Sequence, residues 1–530
     1  MSRILFETQR PLAQVDAGRA DVACFVGLAR LIAGAELPPA VQDWLALQGW
    51  VDGPFARPMD KITDIPIPIE NYPAFTALFD AGGSALSMGT DFVAAAVRSF
   101  FAQGGRRCYV VRMGDPVNPS DADDAKAATL QYLLPGDTYG VDDQRGWHGA
   151  GHLAGLPDVS FLAMPDLPAL TASAQTGTVG QTPSAPAGPE QFVECSNEDL
   201  TDTLPLTYAG AAPRLTPGDY AKWANAVQTV LEYLSDGSLR EMLLVAAFPM
   251  PLDTDVTAAS EDPTNSLTQD IHDVILKQMQ EPPSGPDNNG EIGLDIGISS
   301  AFLQLAYPWL RTTGSSVLLE GLEPPDGVLT GMLARNALTR GTFNSATKIR
   351  PAEVFDVSPV LPEQETKVSA TPLVWGNNSS KPLVERISLL GPTPGGLALL
   401  SDVTAFAGES YRPGRIHRLV AVILRTARTL GEQIVFASNG PALWARVQTS
   451  LVQLMTKLWQ LNALDGDTIS DAFSVRCDRS TMTQNDLDNG RLVALVSFNA
   501  ASTIEVIRVT LALETSGTSS QNVASLAEAS

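Results

Sequence analysis

The stretch DFVAAAVRSFFAQGGRRCYVVRM, residues 91–113, contains a helix pattern, a stop and a strand pattern in direct succession. Four apolar residues recur at the spacing of one helical face: Phe92, Ala96, Val97 and Phe100. Gly104-Gly105 is typical of a helix end. The apolar run at 107–113 then predicts a buried strand. A helix followed at once by a buried strand is the repeating unit of an α/β protein.

Apolar runs of the same kind occur on both sides of this unit, at 22–27, 159–164 and 242–248. Residues 219–234 carry an apolar face at helical spacing and predict a helix before the third run. Residues 172–189 and 253–295 are rich in Pro, Gly and polar side chains, and they predict loops or surface insertions. The sequence therefore predicts a multidomain α/β (α+β) fold with inserted segments.

The last third of the sequence has the most regular periodicity. Residues 415–430 predict an amphipathic helix, 434–437 a short strand, and Asn439 the N-cap of a long second helix. Three strands are predicted after that helix, at 472–477, 491–498 and 503–513. Asn489-Gly490 predicts a tight turn between the first two of these strands. This part of the chain is expected to form a domain of its own.

The composition argues against several classes of protein. The chain has 530 residues, with 35 Lys and Arg against 59 Asp and Glu, so its formal net charge is −24. Such a charge disfavours a nucleic-acid binder, which must neutralise phosphates. No apolar run is long enough for a transmembrane helix. Glu7 interrupts the first residues before the apolar part of a secretory signal can form, so we expect a soluble protein made in the cytoplasm.

No motif in the sequence indicates a catalytic or cofactor site. The P-loop, the nucleophile elbow and the HExxH metalloprotease pattern are all missing. Gly149–Ala154 fits a loose dinucleotide pattern but follows a polar segment rather than a strand. The four cysteines are far apart in the sequence: Cys24, Cys108, Cys195 and Cys477. That spacing predicts reduced thiols, and we expect no cofactor, no metal and no catalysis.

Two groups of polar residues partly match known metal-binding patterns. His148 and His152 are four residues apart, a spacing that suits a metal only on a helix, and the glycines between and beside them favour two loop histidines. Asp486–Gly490 is similar to the start of a calcium loop, but Arg491 and Ser497 occupy the positions that require Gly and Glu. Neither pattern therefore predicts a metal site.

Four segments, in the same order, resemble the contractile tail sheath proteins of contractile phage tails, R-type pyocins and extracellular contractile injection systems. They lie at 92–112, 306–335, 415–444 and 472–498. The last, AFSVRCDRSTMTQNDLDNGRLVALVSF, is the most specific. The chain departs from the family at Asp326, where Ser is usual, and at Asn377, which follows Val-Trp-Gly. The resemblance spans most of 90–513, and 115–300 contribute little to it.

The resemblance implies an inner domain completed by the terminal arms of neighbouring subunits, together with outer inserted domains. The expected parts are an N-terminal linking arm (1–20), the first part of a middle domain (21–114), a variable outer region (115–300), the second part of the middle domain (301–400), an inner tube-facing domain (401–502) and a C-terminal linking strand and tail (503–530).

The function implied by the resemblance is structural. Such a subunit polymerises helically, as stacked hexameric rings, around an inner tube and contracts to drive the tube through a target envelope. Its partners would be further copies of itself, the tube protein, a baseplate and a terminator or cap protein. Neither nucleic acid nor direct membrane insertion is expected. Assembly in a bacterial cytoplasm, as part of a phage tail or tail-like particle, is implied as well.

Two groups of residues are candidates for these contacts. The linking strands would use apolar side chains near both ends of the sequence: Ile4, Leu5, Phe6, Ile504, Val506, Ile507, Val509, Leu511 and Leu513. An ordinary intramolecular strand is the alternative for 503–513. The tube-facing candidates are the arginines of the basic helix: Arg415, Arg418, Arg425 and Arg428. The alternative for this helix is charge pairing within the subunit.

Two other functions stay open from the sequence. The chain could be a non-contractile or cap-type sheath paralogue that acts as a scaffold, which predicts short or finite assemblies. It could also be an enzyme of unrecognised type, a hypothesis that gains weight only if His148 and His152 meet nearby acids in a pocket.

Overall fold

Eight strands between residues 22 and 399 hydrogen-bond into one sheet in the computed structural model of the chain. The structure describes residues 20–51, 54–59, 61–80, 89–136, 139–141, 143–174, 180–183, 206–209, 211–235, 239–251, 298–361, 363–367, 373–375, 378–380, 382–406, 408–434, 437–501, 506–514 and 525–526. The chain divides between Arg418 and Leu419 into two compact units, here called the large unit and the small unit.

The strands of the large unit are β1 (Val22–Leu28), β2 (Pro66–Ile69), β3 (Cys108–Gly114), β4 (Val159–Ala163), β5 (Gly180–Pro183), β6 (Leu206–Ala209), β7 (Arg214–Leu215), β8 (Leu243–Ala247), β9 (Met250–Pro251), β10 (Leu303–Tyr307), β11 (Trp309–Thr312), β12 (Val354–Ser358), β13 (Leu373–Trp375), β14 (Asn378–Ser380), β15 (Ser388–Thr393) and β16 (Gly396–Leu399).

Its helices are α1 (Pro39–Leu47), α2 (Tyr72–Thr76), α3 (Phe92–Ala102), α4 (Asp123–Leu133), α5 (Leu167–Thr171), α6 (Pro217–Ser235), α7 (Asp326–Thr339) and α8 (Glu363–Thr366). Short 3₁₀ helices occur at Gln144–Gly146, Gly149–Gly155, Ser315–Val317, Leu319–Gly321 and Leu383–Glu385. A further helix, α9 (Gly414–Ile434), begins in the large unit, and its residues from Leu419 onward belong to the small unit.

The main sheet has the strand order β16-β15-β10-β8-β4-β1-β3-β2. The six strands from β15 to β3 are parallel, and the two edge strands β16 and β2 are antiparallel to their neighbours. The burial pattern of β1, β4, β8 and β10 is continuous, as expected for parallel strands covered on both faces. All four strands predicted between residues 22 and 248 are confirmed in this sheet.

Two central strands of the sheet come from the predicted outer region at 115–300. β4 and β8 come from this range, yet they are central strands with parallel neighbours on both sides. Their apolar runs cannot be buried except inside a sheet that helices cover on both faces. This range therefore supplies part of the main core, in addition to the segments that fall outside the described residues.

Helices α3 and α7 pack on one face of the sheet in very close contact. A Cβ atom added at Gly327 would lie 2.4 Å from Ala96 Cα, and one at Gly331 would lie 2.7 Å from the Phe100 carbonyl oxygen. Only glycine permits backbones to approach so closely. Phe100 in turn packs edge-on against Phe25 of β1, at 5.6 Å between ring centroids. Helix α3 thus packs against both α7 and the sheet.

The small unit contains the helices α10 (Pro441–Gln460), α11 (Ile469–Ala472) and α12 (Gln484–Asp488) and the strands β17 (Phe473–Arg476), β18 (Arg491–Asn499), β19 (Val506–Glu514) and β20 (Ser525–Leu526). The strands form one antiparallel sheet in chain order. The apolar stripe of α10 is buried: Leu443, Val447, Leu451, Leu454 and Leu458. The strands predicted at 472–477, 491–498 and 503–513 are thereby confirmed.

Some local predictions in this region are wrong. Ile434 ends α9 instead of starting a strand, and Gly440 rather than Asn439 caps α10. Asn439 Oδ1 instead accepts a hydrogen bond from Trp444 Nε1 at 2.7 Å. The turn predicted at Asn489-Gly490 does lie directly before β18, but it follows a helix, α12, that begins with a Thr483–Asp486 capping box.

Leu461, the C-cap residue of α10, is half exposed. No described helix combines the length and apolarity needed to cross a membrane.

Candidate assembly surfaces and buried charges

Strand β19 carries all of the linking-strand candidates that the structure describes. It pairs with β18 over nine residues, from Arg491 opposite Glu514 to Asn499 opposite Val506. This register places Leu513 opposite buried Leu492. Residues opposite each other in an antiparallel pair share one face of the sheet. The buried Leu511 of β19 therefore shares a face with the buried Ala494 of β18.

The linking-strand candidates Val506, Ile507, Val509, Leu511 and Leu513 all lie in this strand. Within the single chain, β19 pairs with β18 of the same chain, which is the intramolecular alternative raised above. Leu511 is buried. The remaining candidates, Ile4, Leu5, Phe6 and Ile504, lie outside the described residues. A linking role for the strand stays a prediction.

Arg418 is wrongly placed among the tube-facing arginines. Its side chain is 3% exposed, and Nη2 lies 2.6 Å from Oδ2 of the buried Asp402. Asp402 also accepts hydrogen bonds from Gln304 Nε2 at 3.0 Å and from the Ala346 amide at 2.8 Å. Burial alone would raise the pKa of Asp402, but the Arg418 charge and these hydrogen bonds hold it below its ordinary value. An arginine in such a network cannot present its charge to another protein.

The other three arginines of α9 are half buried: Arg415, Arg425 and Arg428. Arg428 Nη1 lies 3.9 Å from Glu432 Oε1, one turn along the same helix. Helical periodicity groups all four arginines on a polar side, but it carries no information about Asp402 across the fold. The sequence therefore could not separate the buried arginine from the others.

A second basic stripe on α10 was missed by the sequence reasoning. Arg446 and Lys457 are both exposed, and their separation of eleven residues places them on the same helical face. The exposed face between them carries Thr449 and Gln453. The α10 sequence contains no Asp or Glu. An eleven-residue spacing of cations in a helix without acids is the signal that could have identified this stripe.

The structure does bring His148 and His152 together with an acid, Asp64. His148 Nδ1 lies 2.9 Å from Asp64 Oδ2, and His152 Nε2 lies 2.9 Å from Oδ1. The Gly149 amide donates to Oδ1 at 3.1 Å, and Arg57 Nη2 lies 3.2 Å from Oδ2. Burial opposes ionisation of Asp64, but the hydrogen bonds from both histidines hold its pKa below the ordinary value.

Through these contacts, Asp64 links the loop that contains it to the 3₁₀ helix at Gly149–Gly155. Both carboxylate oxygens are occupied by donors, and His152 is fully buried. In the described part of the chain, no group of three or more His, Cys, Asp or Glu side chains is arranged to hold a metal ion. The sequence offered no hint of Asp64, because it lies more than eighty residues before the histidines.

Buried acids occupy the region beyond the carboxyl ends of β1 and β4, where parallel sheets commonly bind ligands. The Asp166 carboxylate accepts a hydrogen bond from the Leu28 amide at 2.6 Å. A Cβ atom at Gly27 would lie 2.2 Å from the same Asp166 oxygen, so the loop after β4 presses directly on β1. The loop after β4 therefore fills the space beside Gly27 at this edge of the sheet.

Comparison with known proteins identifies the fold. No family model matches the sequence, and no curated protein matches it. Solved structures do match: a chain of the six-fold symmetrised anti-feeding prophage baseplate has a TM-score of 0.53 at 17% identity, covering 95% of this chain and 96% of that one.

Two further anti-feeding prophage structures agree with this result. The helical sheath in its contracted state gives a TM-score of 0.51 at 17% identity, covering 95% and 96% of the two chains. The baseplate in the contracted state gives 0.54 at 16% identity, covering 95% and 97%. The resemblance to contractile tail sheath proteins is thus confirmed at the level of the fold, and it extends over nearly the whole chain.

Proposed function

We propose that this chain is the sheath subunit of a contractile injection particle, which polymerises helically around an inner tube and contracts to drive the tube through a target envelope. The supporting observation is the fold shared with the anti-feeding prophage helical sheath over 95% of this chain and 96% of that one. Such coverage includes both units, so the likeness is not confined to a common α/β core.

Strand exchange between copies would link the polymer. β19 pairs with β18 through nine residues, and the chain between them, 500–505, provides six residues for a crossover. A neighbouring copy could supply the same strand in the same register with no new interface chemistry. On the other side of the sheet, no described strand pairs with the outer edge of β17. That edge is a place where a further arm would add.

The tube contact would rest on charge. Arg415, Arg425 and Arg428 of α9 stay candidates, and Arg446 and Lys457 of α10 form a second basic stripe. Exposed charge pairs are weak individually and surrounded by water, which suits a contact that must break during contraction. Residues 419–530 contain eight Lys and Arg against ten Asp and Glu, whereas residues 1–418 contain 27 against 49. Residues 419–530 are therefore closer to neutral than the rest of the chain.

Contraction would draw on energy stored during assembly. A large number of subunits, each with a modest preference for the contracted lattice, makes the overall switch effectively irreversible. Linked strands would keep the subunits connected while their larger parts repack.

Electron microscopy of the purified chain, with and without its co-produced tube protein, tests the sheath role. We expect full-length protein to form long tubes, a chain lacking 503–530 to form none, and a control lacking only 515–530 to keep β19 and assemble. Near-ultraviolet circular dichroism checks that each chain is folded. Equal assembly by all three chains would contradict the linking strand. A full-length chain that never polymerises, even with the tube, would contradict the sheath role and return attention to the Asp64 cluster.

Paired charge variants test the tube contact. Loss of sheaths around tubes in R425Q/R428Q, with normal assembly of R446Q/K457Q, would assign the contact to α9. The reverse result would assign it to α10. Normal assembly of both variants would contradict a charge-based tube contact.

A cap-type or non-contractile scaffold is the second candidate function. It is favoured by the two matches to baseplate structures, with TM-scores of 0.53 and 0.54. It predicts single rings or short stacks whose length does not grow with the length of the tube. The same micrographs separate the two functions by the distribution of assembly lengths.

A further inference from the structure

We propose that the large unit is a proton-dependent fold, in which a buried cluster of carboxyl groups at the ends of α3 and α7 makes mildly alkaline solution release these helices from the sheet. The titrating groups are Asp166, Glu323 and Asp326, and the buried Asp91 lies close enough to act on Asp166. The proposal concerns the stability of the single chain and does not depend on the sheath role.

The four side chains converge where the N-terminal ends of two helices meet the sheet. Asp91 precedes α3 and Asp326 is the first residue of α7. Asp166 follows β4, and Glu323 lies three residues before Asp326. Each of the four is at most 2% exposed. Because α3 and α7 touch through their backbones at Gly327, these helix ends cannot move apart without losing that contact.

The hydrogen-bond partners that the structure describes for Asp166, Glu323 and Asp326 are neutral. Ser99 Oγ donates to Glu323 Oε1 at 2.6 Å, and Thr312 Oγ1 donates to Oε2 at 3.0 Å. The Gly327 amide donates to Asp326 Oδ1 at 2.9 Å, whereas Asp326 Oδ2 is buried and has no hydrogen-bond partner among the described residues. Amide and hydroxyl donors position a carboxyl group without cancelling a full negative charge.

The charged groups that act on the cluster are mostly its own members. Asp326 and Asp91 act on Asp166, and Asp326 acts on Glu323. Arg98 of α3, whose side chain is 38% exposed, is the cation that acts on Glu323. The positive ends of α3 and α7 offset only part of several buried negative charges. Full ionisation of the cluster is therefore incompatible with this packing.

The pKa values follow from this environment. Burial raises the pKa of Asp326 to about 7 and that of Glu323 to about 8, the latter against the hydrogen bonds from Ser99 and Thr312. Burial, with the neighbouring acids, raises the pKa of Asp166 well above its usual range. In the unfolded chain these groups lose their protons near pH 4. Between those limits the folded chain binds more protons than the unfolded chain.

The sign of the pH dependence is therefore fixed. Stability from these groups is fully present below about pH 4 and is lost as pH rises through the raised pKa values. Within that window, each proton that only the folded chain retains makes the equilibrium constant for unfolding rise about tenfold for every unit by which the pH increases. Asp402 and His417 act in the opposite direction, since they lower stability on acidification.

Urea unfolding of the full chain between pH 5 and pH 9 tests the proposal, with tryptophan fluorescence as the signal, since Trp309 packs against Phe92 of α3 at 5.8 Å. We expect Asp326→Asn and Glu323→Gln each to reduce the pH slope of the unfolding constant by about tenfold per pH unit over pH 5–7. Asp43→Asn, at an exposed position of α1, is the matched control with the parent slope. Comparing slopes removes any packing cost of the substitutions.

Infrared spectroscopy keeps the proposal testable if a variant fails to fold. The folded parent at about pH 6 should show the carbonyl absorption of protonated carboxyl groups, which disappears on unfolding at the same pH and on raising the pH of the folded protein above about 8. The proposal would be overturned if both variants kept the parent's pH slope of the unfolding constant. It would also be overturned if the folded parent lacked that absorption at pH 6.

Discussion

The large unit and the small unit differ in whether they bury charged side chains. The large unit buries an ion pair, a histidine and several carboxyl groups: Arg418, Asp402, His417, Asp166, Glu323 and Asp326. Among the described residues from Leu419 onward, no polar or charged side chain is fully buried. The small unit has an apolar core between α10 and its sheet. The difference predicts that solution conditions and polar substitutions act on the large unit far more strongly than on the small unit.

The largest expected effect is the loss of the Asp402–Arg418 pair. Asp402→Ala leaves the Arg418 guanidinium buried without its carboxylate and removes the acceptor for the Ala346 amide. We expect the free energy of unfolding of the large unit to fall by about 3–5 kcal/mol, measured by chemical denaturation. The control D402L/R418M removes both charges and should recover much of the loss. An unchanged stability of D402A would contradict the comparison.

The free energy of unfolding at acidic pH tests the contribution of the buried His417. Burial, followed by the Arg418 charge, lowers the pKa of His417 to about 3, and neither ring nitrogen has a hydrogen-bond partner among the residues that the structure describes. The stability that comes from the neutral imidazole is therefore present above about pH 6.5 and lost as pH falls towards 3. His417→Leu should remove a slope of about 1.4 kcal/mol per pH unit between pH 6 and 4.

The comparison at pH 8 supplies the control for this variant, because it measures the packing change against Phe302 with both proteins uncharged at this position. Parallel profiles of variant and parent down to pH 4 would show that His417 does not contribute.

Backbone packing in the large unit gives the next effect. Gly331→Ala would place a Cβ atom 2.7 Å from the Phe100 carbonyl oxygen, so α7 must shift away from α3. We expect a loss of about 1–3 kcal/mol in thermal or urea unfolding. Gly218→Ala in α6 is the matched control: its Cβ meets nothing closer than 3.9 Å, and alanine favours a helix. Equal results for the two glycines would contradict the close helix contact.

The smallest expected effect lies in the small unit. Thr483 caps α12, accepting from the Asp486 amide at 3.2 Å and donating to its carboxylate at 2.6 Å. Thr483→Ala should lower the stability of the small unit by about 1 kcal/mol, with little change between pH 5 and 8. Thr449→Ala, on the exposed face of α10, is the control and should be neutral or slightly stabilising. A loss of stability as large as that of D402A would contradict the expected difference between the units.

Secondary structure was predicted well where a local pattern was strong. Residues 91–113 gave α3 and β3 within a residue or two, and the alternation at 503–513 agrees with the register of β19. Predictions failed where a short-range side-chain hydrogen bond decides the local structure. Asn439 accepts a hydrogen bond from Trp444 instead of capping a helix, and a capping box begins α12 before the turn at Asn489-Gly490. Local propensities of Asn and Gly cannot distinguish these alternatives.

For the candidate sites, too, local features could be predicted from the sequence and long-range contacts could not. The sequence alone established an acidic α/β chain, the positions of its main strands and helices, and the resemblance to contractile sheath proteins, because periodicity and composition are local properties. Only the tertiary structure decided that Arg418 is buried on Asp402, that Asp64 joins both histidines, and that four carboxyl groups meet beneath two helix ends. Burial and charge coupling depend on residues far apart in the chain, and the folded arrangement alone brings them into contact.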